Sequence, residues 1–123
     1  VLMRTLITGI TGFVGGHLAE RLLAAGGHAL AGLGRSAAWP PRLGHLAAYA
    51  ELHAADLLDT PRVEDVVRQV RPDWVIHLAG YANTGGSFRE PAACWRANLD
   101  ATRSLYDAVA RSGVRPRILY VST

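Results

Sequence analysis

"TGITGFVGGHL", residues 8–18, follows a short apolar run, precedes a helix-like pattern and sets Gly9, Gly12 and Gly15 three apart. A flexible loop, a bare tight turn and a phosphate cradle are the readings open to it. A turn alone needs one glycine, at the position whose backbone angle other residues avoid. Three at this spacing answer three demands: a sharp turn at Gly9, close approach of a pyrophosphate at Gly12, and close packing of helix on strand at Gly15. The spacing is one residue longer before the second glycine than the Gly-x-Gly-x-x-Gly of dinucleotide-binding units. In the cradle reading, the N–H groups of residues 12–14 point at phosphate from the helix start. A P-loop is excluded, because no Gly-Lys-Ser/Thr follows.

Outward from this loop, the apolar pattern changes period repeatedly. "LMRTLIT" (2–8) reads as a buried strand bounded by Gly9. Residues 13–25 carry Val14, Leu18 and Leu22 at helical spacing and stop at Gly26-Gly27, a glycine C-terminal signal. "HALAGLG" (28–34) and "AELHAAD" (50–56) are further strands, with residues 35–49 between them read as a loop because "WPP" blocks regular structure. Thr60 is expected to cap a helix with Pro61 at its first position and Val63, Val66, Val67 and Val70 on one face. "DWVIHLAG" (73–80) is uniformly apolar, as a strand covered on both faces must be. A long helix is expected from Pro91 to Ser112, closed by Gly113, and "RILYVST" (117–123) makes a fifth strand. Strands alternating with helices predict an α/β fold, a Rossmann-type doubly wound parallel sheet in the order 3-2-1-4-5.

The 123 residues amount to one domain, read as a dinucleotide-binding domain over 1–123, with a net charge of +3 supplied by scattered arginines. Scatter argues against nucleic acid and fits an anionic small ligand equally well. The single cysteine, Cys94, excludes an internal disulfide and fits a reducing, cytoplasmic setting. No apolar run approaches the roughly 18 residues of a membrane span. The five histidines have no metal-ligand spacing and read as ordinary, His77 at best a strand residue near the site. The three tryptophans read as packing rather than as a stacking platform.

With these motifs in order, the chain resembles the extended short-chain dehydrogenase/reductases that act on nucleotide sugars. "TGITGFVGGHL" is similar to their TGxxGFxGxxL cofactor loop, which implies contacts from Gly9, Thr11, Gly12, Phe13, Val14 and Gly15. "AADLLD" (54–59) resembles their Asp-Leu after strand three, with Asp56 accepting from the adenine amino group beside Leu57. "HLAG" (77–80) resembles their HLAA, whose backbone at Leu78, Ala79 and Gly80 flanks the cofactor ribose. "SFREP" (87–91) and Asn98 resemble the fourth helix and its structural asparagine. "ILYVST" resembles the fifth strand, which implies a catalytic hydroxyl on Thr123, with Ser122 the alternative. Residues 85–123 look most like GDP-mannose 4,6-dehydratases and GDP-4-keto-6-deoxy-mannose reductases.

An NAD-type unit places an acid at the end of strand two, where this chain reads "GLGRS". An acid would repel a 2′-phosphate, whereas Arg35, beside Ser36, can fork two hydrogen bonds onto one. NADP is therefore expected over NAD; the blander reading makes Arg35 a solvated charge or an adenine-stacking group. The family's proton donor, a Tyr-x-x-x-Lys, does not occur, and the chain has no lysine. The expectation is the cofactor half of an enzyme, cut before strand six and without its substrate domain, inactive by itself and self-associating through helix 91–112. The competing expectation is a non-catalytic dinucleotide-binding redox sensor.

Overall fold

All five expected strands form in the computed structural model, which describes residues 2–79, 89, 91–92 and 96–121. They are β1 (Met3–Thr8), β2 (His28–Gly34), β3 (Ala50–Ala54), β4 (Trp74–His77) and β5 (Arg117–Tyr120). All pairs are parallel and the order is β3-β2-β1-β4-β5, the doubly wound arrangement expected. The register aligns His53, Leu33, Thr8, His77 and Tyr120 in one row across the sheet. Every strand runs the same way, so this row lies at the carboxyl edge, from which the connecting loops depart.

Because side chains alternate along a strand, the sheet divides two cores. On one face, Leu6 and Val75 pack with Val63, Val66 and Val67 of α2 (Thr60–Val70) and with Leu105 and Ala108 of α3 (Ala101–Ser112). On the other, Ile7 and Ile76 pack with Ala19 of α1 (Phe13–Ala25) and with Leu43 and Leu46. The last two belong to a 3-10 helix, Pro41–Ala48, inside the stretch expected to be a loop. Their i, i+3 spacing suits a three-residue turn, which buries both side chains on one side. Leu43 seats where α1 has no side chain: a Cβ on Gly16 would lie 2.8 Å from a Leu43 methyl carbon.

Four further expectations are corrected. The buried face of α1 is Gly15, Gly16 and Ala19, with Val14 exposed, because small residues let the helix lie close to the sheet. The N-cap of α2 is Asp59, whose carboxylate accepts from the Arg62 N–H at 3.3 Å. Thr60 sits inside the helix instead, its hydroxyl 2.6 Å from that of Ser104 on α3. The long helix is not uniform either, for Arg96–Asp100 forms a π-helical turn before α3 begins. Strands 3 and 4 are shorter than read, ending at Ala54 and His77, where the chain leaves the ladder for the cleft edge.

Candidate functional site

The loops leaving β1, β2, β3 and β4 converge at the carboxyl edge around a cleft of about 930 Å³. Gly9, Thr11, Gly12, Phe13, Val14 and Gly15 line it from the first loop, Arg35 and Ser36 from the second, Asp56 and Leu57 from the third, and Leu78 and Ala79 from the fourth. Those are all the residues named from sequence as cofactor contacts except Gly80, which lies outside the described residues, as do Ser122 and Thr123. The cleft also takes in Gly34, which stands where an acid is often found in NAD-type units, and Leu33, Ala38, Ala55, Leu58 and Ala101, which the sequence did not single out. All but Ala101 border the strand exits; Ala101 opens α3 and reaches the cleft only through the fold.

The glycines of the first loop do different work. Gly9 has φ +74°, and a Cβ there would lie 2.8 Å from the Ala79 N, so turn and close approach both demand glycine. A Cβ on Gly15 would overlap the Gly9 carbonyl and come within 2.7 Å of Ile10 Cα, which is the close helix packing expected. Gly12 is unlike both. It is the N-cap of α1 with an extended backbone (φ −78°, ψ 176°), and a Cβ would meet only the Gly9 carbonyl oxygen, at 3.2 Å. Ser, Asp or Asn would cap the helix better at this position, by roughly a few tenths of a kcal/mol, and no side chain caps it now.

The donors differ in one respect from the expectation. The Gly12 N–H turns back onto the Gly9 carbonyl at 3.0 Å, so it is not offered to the cleft. The first intrahelical bond joins the Gly16 N–H to the Gly12 carbonyl, leaving Phe13, Val14 and Gly15 N–H groups without an intrahelical acceptor. Helix N-termini of this kind favour anions. Phe13 and Val14 are exposed at the cleft lip (73% and 61%), an apolar surface on a loop otherwise made of backbone. Arg42, from the 3-10 helix, holds the outside of the loop by donating to the Thr11 carbonyl at 2.7 Å. Only the tertiary seating of Leu43 on Gly16 brings it there, so nothing in the local sequence marked it.

At the second exit Arg35 is exposed, and no carboxylate among the described residues forms a salt bridge with it. At the third, one Asp56 oxygen accepts from the Leu58 N–H at 2.9 Å, closing a turn that keeps the carboxylate at the cleft. At the fourth, Thr8, His77 and Thr102 form a hydrogen-bonded chain below the cleft. His77 is 1% exposed, and burial pushes its pKa below the ordinary 6.5. No group of three potential metal ligands occurs among the described residues.

A glycine loop, helix-start N–H groups and four strand exits around a cleft at the carboxyl edge have the architecture of a Rossmann-type unit. Residues 5–123 match the NAD dependent epimerase/dehydratase family, and the chain belongs to that family. It is 33% identical over 120 residues to a GDP-6-deoxy-D-mannose reductase of Pseudomonas aeruginosa, covering 98% of this chain and 34% of the relative. A GDP-mannose 4,6-dehydratase of Vibrio cholerae is also 33% identical, over 90% of this chain and 32% of the relative. The crystal structure of Thermus thermophilus UDP-glucose 4-epimerase complexed with NAD superposes with a TM-score of 0.84 at 32% identity, over 98% of this chain and 38% of that one. The chain thus spans about a third of the length of these relatives. No helix among the described residues is long and apolar enough to cross a membrane.

Proposed function

We propose that this chain is the cofactor-binding part of an oxidoreductase-type enzyme acting on a nucleotide sugar, with NADP preferred to NAD and a GDP-linked sugar as substrate. The observation that carries the cofactor reading is Gly12. Its backbone angles suit any residue and nothing crowds it but one carbonyl, yet it forgoes a helix cap, as expected of a position kept bare for a ligand's pyrophosphate. In this reading the N–H groups of Phe13 and Val14 hold the phosphates, and the Leu78–Ala79 backbone flanks the ribose. Asp56 receives the adenine amino group, and Thr123 polarises the sugar carbonyl.

The nicotinamide supplies a hydride acceptor or donor when bound. The chain's own residues bind and orient it. The preference for NADP rests on Gly34 and Arg35. Gly34 stands where NAD-type units carry a carboxylate, and the exposed Arg35 guanidinium beside it, with no salt bridge among the described residues, can take a 2′-phosphate. The GDP sugar is favoured by the likeness to the reductase and the dehydratase, although a UDP-glucose epimerase is comparably similar.

The test is calorimetric titration of NADP and NAD into wild type and Arg35→Ala. The wild type should bind NADP at least about tenfold more tightly, as a charged hydrogen-bonded pair contributes about 1.5–3 kcal/mol. Arg35→Ala should lose that margin and keep its affinity for NAD. Equal affinities in the wild type would refute the NADP assignment and leave the cleft an NAD site.

A further inference from the structure

The protons of the chain beneath the cleft can be placed one by one. The Thr8 hydroxyl oxygen accepts the Ala79 N–H at 3.1 Å and shares the Leu78 N–H, also at 3.1 Å, with the Thr8 carbonyl at 3.2 Å. Its lone pairs are then taken, and its one proton must go to His77 Nδ1, at 2.6 Å. The ring is therefore neutral with its hydrogen on Nε2, which donates to the Thr102 hydroxyl at 2.9 Å. Thr102 in turn donates to the Asn98 carbonyl at 3.0 Å, inside the π-helical turn. The direction of every bond follows from the two backbone N–H groups at its start.

The chain joins three walls of the cleft: the glycine loop at Thr8–Gly9, the β4 exit at Leu78–Ala79, and the head of α3 at Ala101–Thr102. We propose that His77, as this neutral tautomer, is a positioning residue for dinucleotide binding, locking the Leu78–Ala79 peptide and the head of α3 into one arrangement. This rests on the reading of the cleft as a dinucleotide site. The geometry also makes the lock sensitive to acid. A protonated ring would aim a second N–H at a Thr8 oxygen that has no lone pair left, so the Thr8 proton or a backbone N–H would have to let go. Among the described residues, the groups facing the ring are Thr8 from β1, Thr102 from α3 and the Tyr120 ring from β5, centroids 5.6 Å apart. None of them is a charged side chain that would hold an imidazolium, and burial alone moves the ring's pKa, downward.

The experiment has two arms. Nitrogen NMR of the histidine rings in the free protein should show His77 with its proton on Nε2 alone at neutral pH; a proton on Nδ1 would overturn the proposal outright. Affinity for NAD, which lacks the 2′-phosphate that itself takes up a proton near about pH 6, is then measured from neutral pH to about pH 5 for wild type, His77→Phe, His77→Asn and Thr102→Val. The wild type should hold its affinity down to the ordinary 6.5 and weaken below it. The Phe and Val variants should bind NAD between about twofold and tenfold more weakly at neutral pH, the range expected for one neutral hydrogen bond. Asn, whose amide oxygen can still accept from Thr8, should recover part of that loss and bind without the acid decline. A role in stability alone would lower unfolding midpoints and leave the folded variants' affinities and pH profiles at wild-type values, which overturns the proposal; Thr102→Val, on a partly exposed position, keeps this outcome readable should His77→Phe not fold. A wild type that binds no dinucleotide at any pH would instead overturn the cofactor reading, and this proposal with it.

Discussion

Gly12 and Gly15, three residues apart, should fail in opposite ways. Alanine in a helix interior ordinarily gains about 1 kcal/mol over glycine. At Gly15 the new methyl would overlap backbone atoms of Gly9 and Ile10, which have no rotamer to yield. Gly15→Ala is therefore expected to lose cooperative unfolding, as followed by circular dichroism in urea. Gly12→Val should fold, since φ −78° suits valine, with a penalty of about 1 kcal/mol for a poor N-cap residue. It should nonetheless lose NADP binding, because its side chain fills the space of the pyrophosphate. A folded Gly12→Val that binds normally would end the cradle reading. Thr8 shows the limit of residue-by-residue reading. Its partners His77 and Ala79 lie 69 and 71 residues away, and only strand register brings them together.

The elements were legible where the chain punctuates itself. Helix 13–25 and strand 28–34 emerge with their expected bounds because Gly26 and Gly34 mark their ends. Periodicity served less well where turns depart from 3.6 residues. The 3-10 helix is hidden behind Trp39-Pro40-Pro41, and the π-helical turn adds a residue per turn that no apolar repeat announces. On α1, Leu18 and Leu22 of the expected apolar row pack against the core while Val14 is exposed, and the fully buried positions fall to the small residues Gly15, Gly16 and Ala19. The cleft itself was largely legible, since its residues follow directly on strand ends; Ala101 and Arg42, delivered by packing, were not. At this scale Asp59 and Thr60 can be told apart. Asp59→Ala should cost α2 about 1 kcal/mol as a lost cap. Thr60→Ala should cost about 0.5–1.5 kcal/mol through the Ser104 contact, and a double-mutant cycle with Ser104→Ala should show coupling for Thr60 alone. Coupling between Asp59 and Ser104 would contradict this division of roles.

In the 123 residues taken by themselves, β5 lies at one margin of the sheet. Beyond β5 no further strand occurs among the described residues, and Leu119, Tyr120 and Val121 are 49%, 45% and 52% exposed. Such an edge presents backbone N–H and C=O groups beside apolar side chains and is prone to pair with another chain. Tyr106 and Leu99 add exposed apolar surface on the helical segment expected to mediate self-association. Sedimentation of the 123 residues should show association that rises with concentration, and Leu119→Lys should shift it toward monomer by charging the edge. A wild-type monomer at all concentrations would show that the edge is sufficiently protected. The same polypeptide, lacking any Tyr-x-x-x-Lys, should bind the dinucleotide without turning over a nucleotide sugar.

The β2 exit has a consequence for how such a protein can change over generations. Gly34 is the last residue of β2 in register with β3, and Arg35 and Ser36 belong to neither hydrophobic cluster. A side chain at Gly34 would meet a Leu52 methyl carbon at 3.5 Å and the Thr11 methyl at 3.9 Å, both ordinary contacts, and the Ser36 carbonyl at 3.3 Å, a tight one that requires the exposed Ser36 segment to give by a few tenths of an ångström. An aspartate could thus arise at Gly34, and a neutral residue at Arg35, with little effect on either core. On the cofactor reading, a lineage could move between the two nicotinamide pools of a cell by a pair of substitutions that folding barely registers. Selection would then act on metabolic supply at this corner with almost no opposition from stability.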